Sequence, residues 1–179
     1  MFGFFKKKND SLKVIDKIWM TESAKWAGIM KLWKEQPEMI IICWFADSLR
    51  HLESLFAMET VSSVSLFMAS EVHSPQLRGK TIIFAEHHPL RKTEQDKFFQ
   101  WGLKQVIVHS ALDEPLFLVF GGEKIMDLMK GLGMQEDSMI EHKMISNAIV
   151  NAQQKIENKV HNEHKAISQK EWMENNLHA

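Results

Sequence analysis

Residues 39–45 read Met-Ile-Ile-Ile-Cys-Trp-Phe, an almost unbroken apolar run of seven. A strand with one wet face alternates apolar and polar side chains. A run without alternation suits a strand buried on both faces, as in a parallel sheet covered by helices. The run is followed by Asp47 and Ser48, either of which can cap a helix, and then by Leu49, Leu52, Leu55 and Phe56 at helical spacing. Strand then helix is the unit from which α/β folds are built.

The neighbouring segments repeat the unit. Residues 14–20 form a β-branched and aromatic run, plausible as a strand. Thr21 stands at an N-cap position with Glu22 in the first turn, and Trp26, Ile29, Met30 and Trp33 recur at helical spacing until Pro37. Residues 61–69, 80–85 and 105–109 read as three further strands, with a helix over about 89–101 separating the last two. The pattern predicts an α/β sandwich with a mainly parallel sheet of about four to five strands.

After Leu112 the character changes. Residues 113–120, 123–132 and 141–172 all read helical, with Gly121-Gly122 and Gly131 to Gly133 as breaks and no further strand signal. In the last segment Ile145, Ala148, Ile149, Ala152 and Ile156 make a narrow apolar stripe, continued by Val160 and Ile167. A long helix with a narrow stripe lies across a surface or pairs with another helix. The expected division is a flexible tail over 1–10, an α/β unit over 11–140 and a long C-terminal helix and tail over 141–179.

Composition excludes several classes. Lys plus Arg number 22 and Asp plus Glu 23, so no global charge points to nucleic acid or to acidic membranes. The tryptophans lie at helix or strand core positions without a basic stripe, which argues against a base-stacking platform. A single cysteine, Cys43, excludes an intramolecular disulfide and a cysteine-cluster metal site, and reads as a small buried hydrophobe in a reducing cytosol. No apolar stretch approaches the ~18–20 residues of a membrane-spanning helix. Phe2, Phe4 and Phe5 beside Lys6, Lys7 and Lys8 offer weak peripheral membrane contact through residues 1–8, against the plainer reading of a frayed terminus.

Residues 113–155 read DEPLFLVFGGEKIMDLMKGLGMQEDSMIEHKMISNAIVNAQQK. This run resembles, in step and without a gap, the "LMxxLGM.ED..IEH.MV..AI..AQ.KVE" segment of SecA-type preprotein translocase ATPases. Leu128, Leu132, Gly133, Met134, Glu136, Asp137, Ile140, Glu141, His142, Ala152, Gln153 and Lys155 carry the match. WMTESAKWAGIM at 19–30 is similar to the family's "YMTEAEKxxAII", and KTIIFAEHHPLRKTEQDKF at 80–98 to its "LHIIGTERHESRRIDNQL". The resemblance covers most of 12–165, firmly after Asp113 and loosely over 57–79. It implies the second motor domain, a three-layer RecA-like, P-loop NTPase-like α/β fold of the helicase C-terminal type, here standing alone. An all-helical extension with a long last helix would follow. It also implies a cytoplasmic protein, peripheral at the inner membrane face.

Hydrolysis of ATP needs a phosphate cradle such as G-x-x-x-x-G-K-[ST] and charged donors to the transferred phosphate. The cradle string is absent, and Gly121-Gly122-Glu123-Lys124 lacks its spacing and hydroxyl. The family keeps that loop in its first motor domain, so its absence is expected. The family's "QLRGRSGRQGD" arginines have no counterpart: Phe98, Gln100 and Leu103 stand in their places, and none can make a bidentate charged contact. The expectation is a non-catalytic, degenerate member needing no cofactor, a binding or regulatory module connected with preprotein translocation. Its partner would be a SecA motor, the translocon or a second copy, with no nucleic acid. The alternative is a nucleotide-binding ATPase subunit completed by a partner motor chain, with ATP and Mg²⁺ entering only there.

Two sets of residues follow. Glu86, His88 and Arg91 hold family-like positions and are the candidate nucleotide contacts. Ile145, Ile149, Ala152 and Ile156 are the candidate partner contacts. Neither a catalytic group nor a metal set is assigned. His87, His88 and His109 near strand ends, with Glu86, admit acid–base or metal chemistry but read more plainly as polar residues at loop mouths. Glu157, His161 and His164 have a permissible metal spacing on one helix face, which an exposed polar helix also produces.

Overall fold

A computed structural model describes residues 12–59, 64–119 and 121–177. The tail over 1–10, with its membrane-contact expectation, lies outside the described residues, as does Phe120. In chain order the main elements are β1 (Lys13–Trp19), α1 (Glu22–Glu35), β2 (Ile40–Cys43), α2 (Ala46–Ala57), β3 (Ser65–Met68), β4 (Ile82–Phe84), α3 (Arg91–Gln100) and β5 (Gln105–Ala111). They continue with α4 (Pro115–Leu118), α5 (Gly122–Gly131), β6 (Met139–Ile140), α6 (Lys143–Glu157) and α7 (Gln169–Leu177). A short 3-10 turn at Ser74–Leu77 precedes β4.

The strands form one six-stranded sheet in the order β3-β2-β4-β5-β1-β6. The first five are parallel, and β6 pairs antiparallel with the end of β1, Ile18 opposite Ile140. The sheet is flanked by helices, consistent with a RecA-like fold. β2 shows how the apolar run does this. Ile40 and Ile42 join one core with Phe84, Phe98 and Val108, while Ile41 and Cys43 join another with Ile29, Trp33, Leu52 and Phe56. So α3 covers one face and α1 and α2 the other, and both faces of β2 are dry.

Local signals place α1 as expected. Thr21 is its N-cap, its side chain accepting from the Ala24 N–H, and the helix ends before Pro37. For α2 the expected cap from Asp47 or Ser48 is corrected: the N-cap position is Phe45, with no side-chain cap of its own. The Glu86 carboxylate, arriving from the end of β4, accepts from the N–H groups of Trp44 at 2.7 Å and Phe45 at 3.2 Å instead. A carboxylate at a helix N-terminus also meets the positive end of the helix dipole.

Two expectations after Leu112 are corrected. Met139 and Ile140 add a sixth strand where none was expected. The single helix over 141–172 is two, because the chain leaves α6 at Asn158 and re-enters a helix only at Gln169. Side chains compete for the backbone of the intervening segment. Asn176 Oδ1 accepts from His164 N at 2.7 Å and Asn176 Nδ2 donates to His164 O at 2.9 Å. Ser168 Oγ then accepts from Glu171 N at 3.1 Å, which starts α7.

The stripe on α6 faces inward. Ile149 and Ile156 share a core with Ile18, Met20, Phe45, Leu112, Trp172 and Met173, and Ala152 is buried beside them. Ile145 is half-buried against the same cluster. The candidate partner contacts Ile145, Ile149, Ala152 and Ile156 thus pack, in whole or in part, against the fold's own core beside β1.

Candidate functional site

The chain leaves β2 for β3 on one side and leaves β4 for β5 on the other. The carboxyl ends of β2 and β4 therefore flank a topological switch point, where open α/β sheets leave a crevice for ligands. Here that crevice is a cleft of about 1030 Å³. Its walls come from α1, α2, the segment after β5 and the start of α7, and Glu86 lies in its lining.

Three ionisable side chains form the floor. Lys25 is 1% exposed, Glu86 2% and Glu114 2%. Lys25 Nζ donates to Glu114 Oε1, and it also sits 3.7 Å from the centre of a Trp26 ring. Lys25, Ile29 and Trp33 are the buried residues of α1 and follow one another at i, i+4 and i+8, so the lysine occupies a core position of that helix. Glu114 arrives from the turn after β5, 89 residues away in sequence. Burial pushes the Glu114 carboxyl up to about 7 against the pull of the Lys25 ammonium. Burial also raises Glu86, opposed by Lys25 and by hydrogen bonds. Glu86 Oε2 and Glu114 Oε2 have no hydrogen-bond partner. The Ser48 hydroxyl acts on the Glu86 carboxyl without partnering Oε2.

A second buried network lies beside the α6 core. His87 Nδ1 is 2.9 Å from Glu94 Oε1, and Nε2 is 3.0 Å from Asp16 Oδ1. Burial pulls the imidazole down, but the two carboxylates outweigh it and hold His87 at about 10, so it is a cation at neutral pH. For Asp16 burial works upward, but the His87 contact and Ser146 leave the carboxyl below its ordinary value. Glu94 also accepts from His88 N at 2.8 Å and from Gln153 Nε2 at 2.9 Å. Gln169 Nε2 donates to His87 O at 3.0 Å, and Gln169 Oε1 accepts from Leu116 N at 2.8 Å. His87, Asp16, Glu94, Gln153 and Gln169 all bond within the chain, so the network reads as a clamp that ties β1, α3, α6 and α7 together.

The residues singled out from sequence do not converge. Glu86 lines the cleft. His88 is buried outside the cleft lining, its ring stacked 5.9 Å from Phe45 and edge-on to Trp172 at 5.8 Å, with Nε2 3.2 Å from Glu163. Arg91 begins α3, half-buried, and lies beside Gln95 one turn on, whose amide, turned so that its oxygen faces the guanidinium, accepts from Nε at 3.0 Å. His109 is held by Trp19, whose Nε1 donates to its Nδ1 at 3.1 Å, and burial, with Lys17 and Lys25, pushes it down to about 3. Glu157 ends α6 and His161 and His164 lie beyond it, so these three share no helix face. Phe98, in the place of an arginine, is 1% exposed and packs edge-on to Phe84 at 4.9 Å. Leu103 is partly buried against the same core, and Gln100 is exposed.

Sequence reasoning missed Lys25 and Glu114. The available signal was a lysine sitting four residues before Ile29 and eight before Trp33, on the apolar face of α1.

The fold is an α/β protein with one six-stranded, mostly parallel sheet, consistent with a RecA-like fold, and a cleft at its strand ends. No protein-family model matches the chain. It is 34% identical over 85 residues to the protein translocase subunit SecA of Acetivibrio thermocellus, a match covering 45% of this chain and 9% of that protein. It is 37% identical over 87 residues to the SecA of Oleidesulfovibrio alaskensis, covering 46% of this chain and 10% of that one. Over 47 residues it is 43% identical to the SecA of Acinetobacter baylyi, 26% of this chain and 5% of that protein. The chain is thus SecA-related over somewhat under half its length, and it spans a small fraction of the curated relatives it matches. Among the described residues no helix is long and apolar enough to cross a membrane.

Proposed function

We propose that this chain is a non-catalytic SecA-like module that binds a protein of the preprotein translocation apparatus, with a SecA motor as the favoured partner. The observation that carries this reading is Phe98. It stands where the resemblance would put a phosphate-contacting arginine, yet it is 1% exposed and packs from α3 onto Phe84 of β4. A buried phenyl ring cannot stabilise charge on a transferred phosphoryl group. The similarity to SecA supplies the link to translocation. Glu86, His88 and Arg91 belong to the competing reading, a nucleotide-binding subunit completed by another motor chain. Of the three only Glu86 lines the cleft, which favours the non-catalytic one.

Affinity capture from the native cell, followed by ATPase assays of the purified chain alone and with the captured partner, tests this. The expected result is capture of SecA or a translocon subunit and no Mg²⁺-dependent turnover by the chain itself. Turnover that appears only in the mixture and vanishes when Arg91 is replaced would favour the completed-motor reading.

A further inference from the structure

We infer that the cleft floor at Glu86 and Glu114 is a binding site for an alkylammonium group, the compact cationic head of a primary amine or of a lysine side chain. A second cation beside the two floor carboxyls would favour their ionised forms against the burial that raises them. One ammonium, Lys25, faces two carboxylates, Glu86 and Glu114, and each carboxylate keeps one oxygen without a partner. Buried acceptors without partners are rare, and each leaves a desolvation cost that a ligand donor would remove. Glu86 Oε1 is already committed to Trp44 N and Phe45 N, and Glu114 Oε1 to Lys25. The two oxygens without a partner, Glu86 Oε2 and Glu114 Oε2, are buried, so a guest ammonium reaches them only as the lining side chains above them move aside.

The walls select the guest's shape. Leu118 and Val119, 43% and 52% exposed, line the cleft together with Met173 and the Trp26 ring. These apolar side chains suit an alkyl stem, while most of the remaining lining, with Ser48, His51, Ser54, Gln169 and Lys170, is polar. Acidic Glu22, Asp113 and Glu174 also line it. Asp113 Oδ1 accepts from Glu22 N at 2.7 Å and Asp47 is paired with Arg50 at 2.8 Å; with Lys25 and Lys170 counted, six acidic lining side chains face three basic ones. A bare divalent cation fits less well, because among the described residues no three His, Cys, Asp or Glu side chains gather as metal ligands.

The test is calorimetric titration of the full chain with n-butylammonium chloride, and with 1-pentanol as its uncharged counterpart. Glu86→Gln is the informative variant, because the amide oxygen can still accept from Trp44 N and Phe45 N. One-to-one binding of butylammonium is expected, with pentanol and the Glu86→Gln chain each at least about tenfold weaker, the loss of one charged hydrogen bond. In the native chain the amide resonances of Trp44 and Phe45 should move on titration, which keeps the test valid if the variant misfolds. An N-acetyl-lysine amide arm distinguishes the sources: competition with butylammonium assigns lysine side chains, and its absence assigns free amines. No saturable binding, equal binding of pentanol, undiminished binding by folded Glu86→Gln, or displacement by equimolar Mg²⁺ would each overturn the site. The sample contains no translocase component, so failure here leaves the proposed role standing, and the reverse holds too.

Discussion

His87 and Glu94 face each other at 2.9 Å inside the protein, and the imidazole is held protonated there by Glu94 on one side and Asp16 on the other. The ion cluster draws β1, the turn after β4 and α3 together, and through Gln153 and Gln169 it reaches α6 and α7.

Its pH signature follows from the direction of the shift. His87 binds its proton more tightly folded, about 10, than unfolded, 6.5. Its stabilisation is therefore fully present below about pH 6.5 and is lost as pH rises through 10. Urea unfolding of the native chain and of His87→Gln should show a gap of about 3–5 kcal/mol near pH 6 that narrows toward pH 10. A gap independent of pH would mean that the imidazole is neutral in the fold.

The Lys25–Glu114 pair predicts a different pattern. Lys25→Met leaves Glu114 and Glu86 buried without their cation, at about 3–5 kcal/mol near pH 8. Both carboxyls are already shifted upward, so protonation relieves the loss as pH falls toward 5. Adding Glu114→Gln should recover a large part of the stability at pH 8. A strictly additive double mutant would show that the pair is uncoupled.

Gly28 lies in the middle of α1, where alanine ordinarily gains about 1 kcal/mol. Here an added Cβ would come within 2.2 Å of Trp19 Cη2. Thermal unfolding should show Gly28→Ala destabilised by about 1–3 kcal/mol despite its better helix propensity. A raised melting temperature would show that Trp19 repacks freely.

Trp172 is 1% exposed, edge-on to His88, and its Nε1 donates to Glu163 at 2.8 Å. Trp172→Ala should cost about 3–5 kcal/mol. Ile167→Ala, at an exposed position just before α7, should fall within about 0.5 kcal/mol. Chemical denaturation of both variants checks whether α7 is a core element or an appendage.

How legible all this was in the sequence depended on how local each cause is. The run at 39–45 announced a doubly buried strand because burial on both faces removes alternation, and Thr21 announced a helix start because the cap lies within one turn. Residues 158–168 were misread because their structure depends on Asn176, beyond the segment, whose side chain takes both the His164 N–H and its carbonyl. Ser168 followed by Glu171 was a visible start signal for α7 that the apolar stripe outweighed. The stripe itself was legible as apolar, but its periodicity does not say that its neighbours are Ile18, Met20 and Trp172 of the same chain. Of the cleft, only Glu86 was named. The Lys25–Glu114 pairing spans 89 positions and has no local signature.

The central claim is a SecA-like module that binds a motor without turning over ATP. Light scattering of the purified chain mixed with SecA from the same organism, with ATP turnover followed in the same samples, tests it most directly. The account predicts a complex heavier than either component and no Mg²⁺-dependent hydrolysis by the chain alone. Hydrolysis by the isolated chain, or two species of unchanged mass at every ratio, would contradict it.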